Sequence, residues 1–133
     1  MENIEFKRLD KIEKLDLNIA ECEISDLEKF IEDKNNYAFI GIKDNKAIAF
    51  LYGYGMLRPD GKRMFYIHSV DVISECQSKG IGTSLMEFTL DYVKKENKYY
   101  KFFVLTEEDN IKACKLYQKY AIREEQVLFS NKI

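Results

Sequence analysis

The sequence has little of what most specialised chemistries need. It has no tryptophan, one proline (Pro59), one histidine (His68) and three cysteines in 133 residues. Cys22, Cys76 and Cys114 are far apart and no metal-ligand spacing surrounds them, so neither a disulfide framework nor a metal centre is expected. Such sparse, odd-numbered cysteine usage fits a reducing compartment, with the cytoplasm as the expected location. No apolar run approaches the roughly 20 residues that cross a bilayer, and Met1 to Phe6 lack the basic start and apolar stretch of a secretory leader. A membrane partner is therefore not expected. Neither charge dominates: 21 Lys and Arg against 23 Asp and Glu leave a net charge of −2. That balance gives no basic field to hold nucleic acid and is compatible with a cationic substrate. Repeats, low-complexity tracts and Pro/Gly-rich linkers are absent too, and the length suits one domain over 1–133.

What the chain does have is a globular mixture, 46% hydrophobic and 33% charged, with nine Tyr and nine Phe to fill a core. A strand is predicted over 4–9. Apolar positions at helical spacing predict two short helices within 12–33, the second capped by Ser25 with Glu28 three residues on. Residues 37–42 and 47–52 form a predicted hairpin about Asp44-Asn45, and a turn follows at 58–62. Residues 64–72, rich in aromatic and β-branched side chains, read as a strand. A helix is expected from about Gly82 to Lys95, a buried strand over 102–105, a helix capped by Asn110, and a last strand over 122–129. The order β-α-α-β-β-β-α-β-α-β predicts a mixed sheet with helices on both faces.

The chemistry concentrates between the 64–72 strand and the next helix, at Gln77-Ser78-Lys79-Gly80-Ile81-Gly82-Thr83. Two glycines remove Cβ atoms where a ligand would approach the backbone, and a helix's first turn presents free N–H groups. With the positive end of the helix dipole, this is an anion site suited to a pyrophosphate, and Lys79 adds charge. The spacing matches neither Gly-x-Gly-x-x-Gly nor the phosphate loop ending in Gly-Lys-Ser/Thr. The competing reading is that Gly80 and Gly82 only shape a loop.

Gln77-x-x-Gly80-x-Gly82 resembles the coenzyme A pyrophosphate loop of the GNAT superfamily of N-acetyltransferases, and Asn110-x-x-Ala113-x-x-Leu116-Tyr117 is similar to its second signature. The two lie in the family's order, and the likeness runs over about residues 4 to 129. Leu116 to Glu125 and Phe65-Tyr66-Ile67 look more specifically like aminoglycoside 3-N-acetyltransferases, with two departures: Ser69 stands where those enzymes carry aspartate, and Ala121 replaces a usual glycine. The resemblance implies an α/β (α+β) fold with a mixed, mostly antiparallel sheet of six to seven strands, about four helices, and a splay between the fourth and fifth strands. It implies acetyl-CoA as donor and direct attack by an amine, either a small polyamine- or aminoglycoside-like molecule or a protein or peptide amine. A homodimer is compatible with it. The alternative from another class is a non-catalytic acyl-CoA-binding or sensing module.

Direct transfer requires a base for the amine's proton, donors for the carbonyl oxygen and an acid for the departing sulfur. The resemblance assigns Tyr117 as acid, against the plain reading of a tyrosine packed on its helix. For the base, His68 competes with Asp71 and with an ordered water; simple strand alternation would put Asp71 on the face opposite His68. Backbone groups of Val70 and Val72 are expected to line the pantetheine. The diphosphate falls to Gln77, Ser78, Lys79, Gly80, Ile81, Gly82 and Thr83, and Asn110 either bonds the pantetheine or caps its helix. Glu107-Glu108-Asp109 forms an acidic run at the cleft's expected edge. No histidine lies near Cys76 or Cys114 in sequence, which argues against a covalent acyl-enzyme.

Overall fold

The computed structural model describes residues 3–19 and 21–133. Along the chain run β1 (Glu5–Arg8), α1 (Ile24–Glu32), β2 (Asn36–Lys43), β3 (Lys46–Leu57), β4 (Arg63–Val72), a 3-10 turn (Ser74–Cys76), α2 (Ile81–Glu96), β5 (Lys101–Val104) and α3 (Ile111–Gln118). The strands form one sheet in the order β1-β2-β3-β4-β5. The first four pair antiparallel, and β5 pairs parallel to β4. None of the described helices is long and apolar enough to cross a membrane.

Alternation along β2 divides the interior into two layers. Tyr37 and Phe39 face α2 and join Leu51, Phe65, Ile67, Leu85, Met86 and Val93. Ala38 and Ile40 face the other way and join Leu27 and Ile31 of α1 with Leu9, Leu17 and Ile19. The sheet thus has a core on each face, as its doubly apolar central strands require. The β2–β3 hairpin turns through Asp44 and Asn45, both at positive φ, which short polar residues tolerate. Two irregularities carry consequences. The β2–β3 register steps between Gly41 and Ile42, making Ile48 an extra residue in β3. The β3–β4 register steps between Tyr52 and Gly53, whose partners are Ser69 and Ile67, so His68 is the extra residue in β4. Each is a bulge, and each reverses the inside–outside alternation beyond it.

The C-terminal end of α2 is pinned by a polar cluster. The buried Tyr37 hydroxyl donates to the Glu96 carboxylate at 2.6 Å and lies 2.8 Å from the Tyr99 hydroxyl. Burial, reinforced by Glu96, pushes the Tyr37 phenol well above its ordinary range, so it stays a donor. The Arg8 guanidinium sits 3.8 Å over the Tyr37 ring. With this end of α2 fixed at the start of β2, its other end lies beyond the last residues of β4.

Several expectations need correcting. No helix forms within 12–22 among the described residues; Ala20 lies outside them. The Asp16 amide and carbonyl instead bond Asn45 and Ala47 at the hairpin, and Leu17 and Ile19 bury at a strand-like spacing of two. α1 begins before Ser25, with Glu23 at the cap position and no side-chain capping bond. The expected last strand over 122–129 is absent, since these residues have no strand partner among the described residues. The described sheet therefore has five strands rather than six or seven, and three α-helices rather than about four.

Gly53 faces the β4 backbone at the bulge, where a Cβ would lie 2.2 Å from the Tyr66 carbonyl oxygen. Gly53→Ala should cost about 1–3 kcal/mol by forcing the strands apart, lowering the melting temperature by roughly 4–11 °C. An unchanged midpoint in a thermal scan would show that the bulge gives way freely.

Candidate functional site

The loop between β4 and α2 presents backbone N–H groups to solvent. Gly80 occupies the cap position of α2 at φ 80°, a left-handed conformation that favours glycine, and no side chain caps the helix. Among the described residues, the amides of residues 78–83 donate to no backbone carbonyl. A Cβ on Gly80 would meet nothing within 4 Å, and one on Gly82 would find its nearest neighbours, Leu116 and Val72, at 3.8 Å. Crowding within the protein thus does not demand glycine at 82; its missing side chain leaves the front of the first turn bare. Ser78, Lys79 and Gly80 are exposed, Ile81 is buried beneath them, and the Lys119 ammonium reaches the Thr83 hydroxyl at 2.8 Å. Bare amides, a helix dipole and two lysines fit a diphosphate. The Gln77 side chain turns the other way, donating to the Val72 carbonyl at 2.9 Å.

That bond bears on the open side of β4. The parallel ladder to β5 runs from Met64↔Lys101 to Ile67↔Val104 and stops, so beyond the bulged His68 residues 69–72 pair with β3 alone. The strands part there, as a splayed pair does. The Ile73 amide donates to the Ile48 carbonyl, toward β3. By alternation Asp71 also turns its backbone toward β3, while Val70 and Val72 turn theirs toward the gap. Their side chains pack on the α2-side core, near Leu116 and Tyr117.

Tyr117 on α3 is half-buried. Burial raises its phenol pKa above the ordinary tyrosine value, and the nearby Asp71 carboxylate and Cys114 push it the same way. It is therefore neutral at pH 7 and able to donate. Asn110 caps α3 by accepting from the Ala113 amide at 3.1 Å, which leaves its side-chain NH2 uncommitted to that bond. Cys114 points its thiol at the Glu107 and Glu108 carbonyls, and no metal-ligating cluster exists among the described residues.

The opposite face of β4 holds an aromatic wall that residue patterns did not flag. His68 lies 5.0 Å from Tyr52 and 5.3 Å from Tyr66 between ring centroids, and its Nδ1 is 3.4 Å from the Tyr54 hydroxyl. Tyr66 stacks on Phe103 of β5 at 4.9 Å. The visible signal was the spacing of two in Tyr52-x-Tyr54 and Tyr66-x-His68, which places each pair on one face. The bulge at His68 also corrects the expectation for Asp71. Ser69 donates to Asp71 at 3.1 Å, and Asp71 is close enough to help raise the Tyr52 pKa, behind burial and Tyr54. Asp71 thus shares the His68 face. Next to it an open hollow of about 590 Å³ lies between Asn18, Ile19 and Glu21 on one side and Asp71 to Glu75 on the other. Glu21, Asp71 and Glu75 give it acidic character; Lys46 offsets Glu75 through an ion pair at 3.6 Å. Glu107, Glu108 and Asp109 are exposed, and Glu108 pairs with Arg123 at 3.2 Å.

The chain is similar to known proteins in sequence and in fold. Streptothricin acetyltransferase A of Bacillus subtilis (strain 168) is 26% identical over 91 residues, covering 68% of this chain and 50% of the relative. An N-alpha-acetyltransferase of Saccharolobus solfataricus is 25% identical over 109 residues, covering 74% and 65%. The chain thus spans between half and two thirds of the length of these relatives. Among solved structures, an aminoglycoside acetyltransferase from an uncultured soil metagenomic sample, in complex with trehalose, superposes with a TM-score of 0.79. At 21% identity over 98% of this chain and 95% of that one, the likeness speaks to the fold. A model of the acetyltransferase (GNAT) family matches residues 6–121, spanning the splayed strands, the glycine-opened helix and α3, and the chain belongs to that family.

Proposed function

We propose that the protein is an N-acetyltransferase that moves an acetyl group from acetyl-CoA to a primary amine by direct attack. The observation that carries this reading is the row of uncapped amides at the start of α2, set beside the unpaired end of β4 and the neutral phenol of Tyr117. Acetyl-CoA supplies a thioester carbonyl and a thiolate leaving group. The amides of residues 78–83 and Lys79 hold its diphosphate, and Gln77 steadies the loop through Val72. Val70 and Val72 offer backbone bonds to the pantetheine and, at Val72, a donor to the carbonyl oxygen. Asn110 offers its side-chain NH2 to the same arm. Tyr117 gives its proton to the leaving sulfur, forming the thiol, and the attacking nitrogen loses its own proton to His68, Asp71 or a water between them.

The acceptor reading follows from charge and aromatic surface. A wall of Tyr52, Tyr54, Tyr66 and His68 beside an acidic hollow attracts a small cationic amine through ring faces and carboxylates. Polyamine- and aminoglycoside-like amines fit that description, and a peptide amine is the acceptor to test against them.

Three outcomes follow. Gly82→Asp places a carboxylate before the diphosphate amides without crowding the fold, so acetyl-CoA affinity should fall at least about tenfold, or 1.4 kcal/mol. Calorimetry checks it, and an unchanged Kd at an unchanged melting midpoint would move the site elsewhere. Tyr117→Phe should lower kcat about 100-fold or more while the KM for acetyl-CoA stays within a few-fold. The acid works protonated, so activity is retained below its pKa and lost above it. Because that pKa is raised, the alkaline limb lies above the ordinary tyrosine value of about 10 and should vanish in Tyr117→Phe. The acidic limb of the profile identifies the base: flattening in His68→Ala but not in Asp71→Asn assigns His68, the reverse assigns Asp71, and persistence in both leaves water.

A further inference from the structure

The net charge of −2 is not evenly spread over the chain. At the end of the sheet remote from the start of α2, the β3–β4 turn and the α2–β5 connection set two adjacent tyrosines among cations. The Arg58 guanidinium donates to the Tyr100 hydroxyl at 2.8 Å and lies 5.9 Å from the ring centre, and the Lys62 ammonium lies 5.5 Å from that centre. The Lys98 ammonium is 5.6 Å from the Tyr99 ring. Burial raises the Tyr99 pKa and Arg63 opposes that rise, which puts a fourth cation nearby. Lys101 follows, exposed, at the start of β5. The carboxylates at this end are already engaged: Asp60 pairs with Arg58 at 2.8 Å, and Glu96 accepts from Tyr37. Lys94 and Lys95, in the last turn of α2, offset the negative end of that helix.

The turn holds this surface in a fixed shape. The Arg58 amide donates to the Lys62 carbonyl at 2.8 Å, and the Gly61 amide to the Arg58 carbonyl at 3.0 Å. Asp60 accepts from the Lys62 amide at 3.1 Å. Arg58 is thus ordered before any partner arrives, and the donors it does not spend on Tyr100 and Asp60 remain for one. Apolar groups meet water beside it: Leu57 is 61% exposed, Tyr100 49% and Met56 38%. Leu57 pairs with Arg63 across the last step of the β3–β4 ladder, so it belongs to the same tip.

We infer that this end of the sheet is a docking surface for an acidic protein segment that carries an apolar residue. Carboxylates match the planar fork of Arg58 and the lysines around it. Arg, Tyr and Met are the side chains enriched where proteins meet. A partner made of phosphates alone would leave Leu57 and Met56 without a counterpart, and a bilayer would call for a broader apolar face. Ten-residue β4 separates this surface from the splayed end by about 30 Å, so a docked segment leaves the glycine loop and Tyr117 open. The inference does not depend on the acetyltransferase reading.

The probe is a labelled synthetic peptide of glutamates around a central Leu-Phe pair, followed by fluorescence anisotropy with the full chain. It should bind saturably below about 100 μM at low salt and several-fold more weakly at physiological ionic strength. Arg58→Glu with Lys62→Glu should weaken binding at least about tenfold. Leu57→Ser should weaken it a few-fold, and all variants should keep the wild-type melting midpoint and acetyl-CoA affinity. Arg58→Gln with Lys62→Gln should give a smaller loss and serves if the reversed pair folds poorly. Absence of saturation, equal binding by the charge variants, or equal binding of an all-glutamate peptide overturns the inference. Tighter binding of oligouridylate or of phosphatidylserine vesicles overturns it too, by making the surface one for nucleic acid or for a membrane.

Discussion

The site depends on where β4 and β5 cease to bond. Four residue pairs join them, from Met64 with Lys101 to Ile67 with Val104, and then β4 continues for five residues with β3 as its sole strand neighbour. Backbone groups left open in this way must be satisfied by something other than the sheet. Gln77 satisfies one of them, the Val72 carbonyl. The remainder face the gap, which ends at the amide-bearing start of α2, where Val72 lies 3.8 Å from a Cβ built on Gly82, and Leu116 and Tyr117 of α3 pack in the same layer as Val70 and Val72. One interruption of pairing thus produces a slot with hydrogen-bonding groups along one side and a positive helix end at its mouth.

The bulge at His68 gives that slot two distinct faces. Before it, Phe65 and Ile67 point into the α2-side core; after it, Val70 and Val72 do. Tyr66, His68, Ser69 and Asp71 are consequently gathered on the other face, with Tyr52 and Tyr54 of β3. Without the extra residue, Ser69 and Asp71 would point toward α2 and the aromatic wall would carry no carboxylate. The close approach of Gly53 to the Tyr66 carbonyl is the steric counterpart of this arrangement.

Rigidity comes from the opposite end of the sheet. Tyr37, Glu96, Tyr99 and Arg8 knit the end of α2 to β1, β2 and the start of β5 through short hydrogen bonds and a guanidinium–ring contact. Apolar residues of α2 such as Leu85, Met86 and Val93 then hold its length on the sheet. Lys119 and Tyr120 tie the end of α3 to Thr83 and Glu87 near the start of α2. The first turn of α2 therefore projects a fixed set of amides.

The sequence by itself determined the local elements: the hairpin about Asp44-Asn45, the strand over 64–72, the amphipathic α2 and the Asn110 cap, because turn chemistry, side-chain period and capping act over a few residues. It also marked Gly80 and Gly82, since left-handed backbone and a bare first turn are glycine's own properties. Only the tertiary structure decided the rest. Residues 12–22 carry helical spacing but are drawn to the hairpin by backbone bonds at Asp16, and residues 122–129 carry strand propensity yet bond no other described backbone group. The grouping of Asp71 with His68 required a register step that no local pattern announces. Each of these turns on a hydrogen-bond partner distant in sequence, and which distant partner wins is settled only when the whole sheet is assembled.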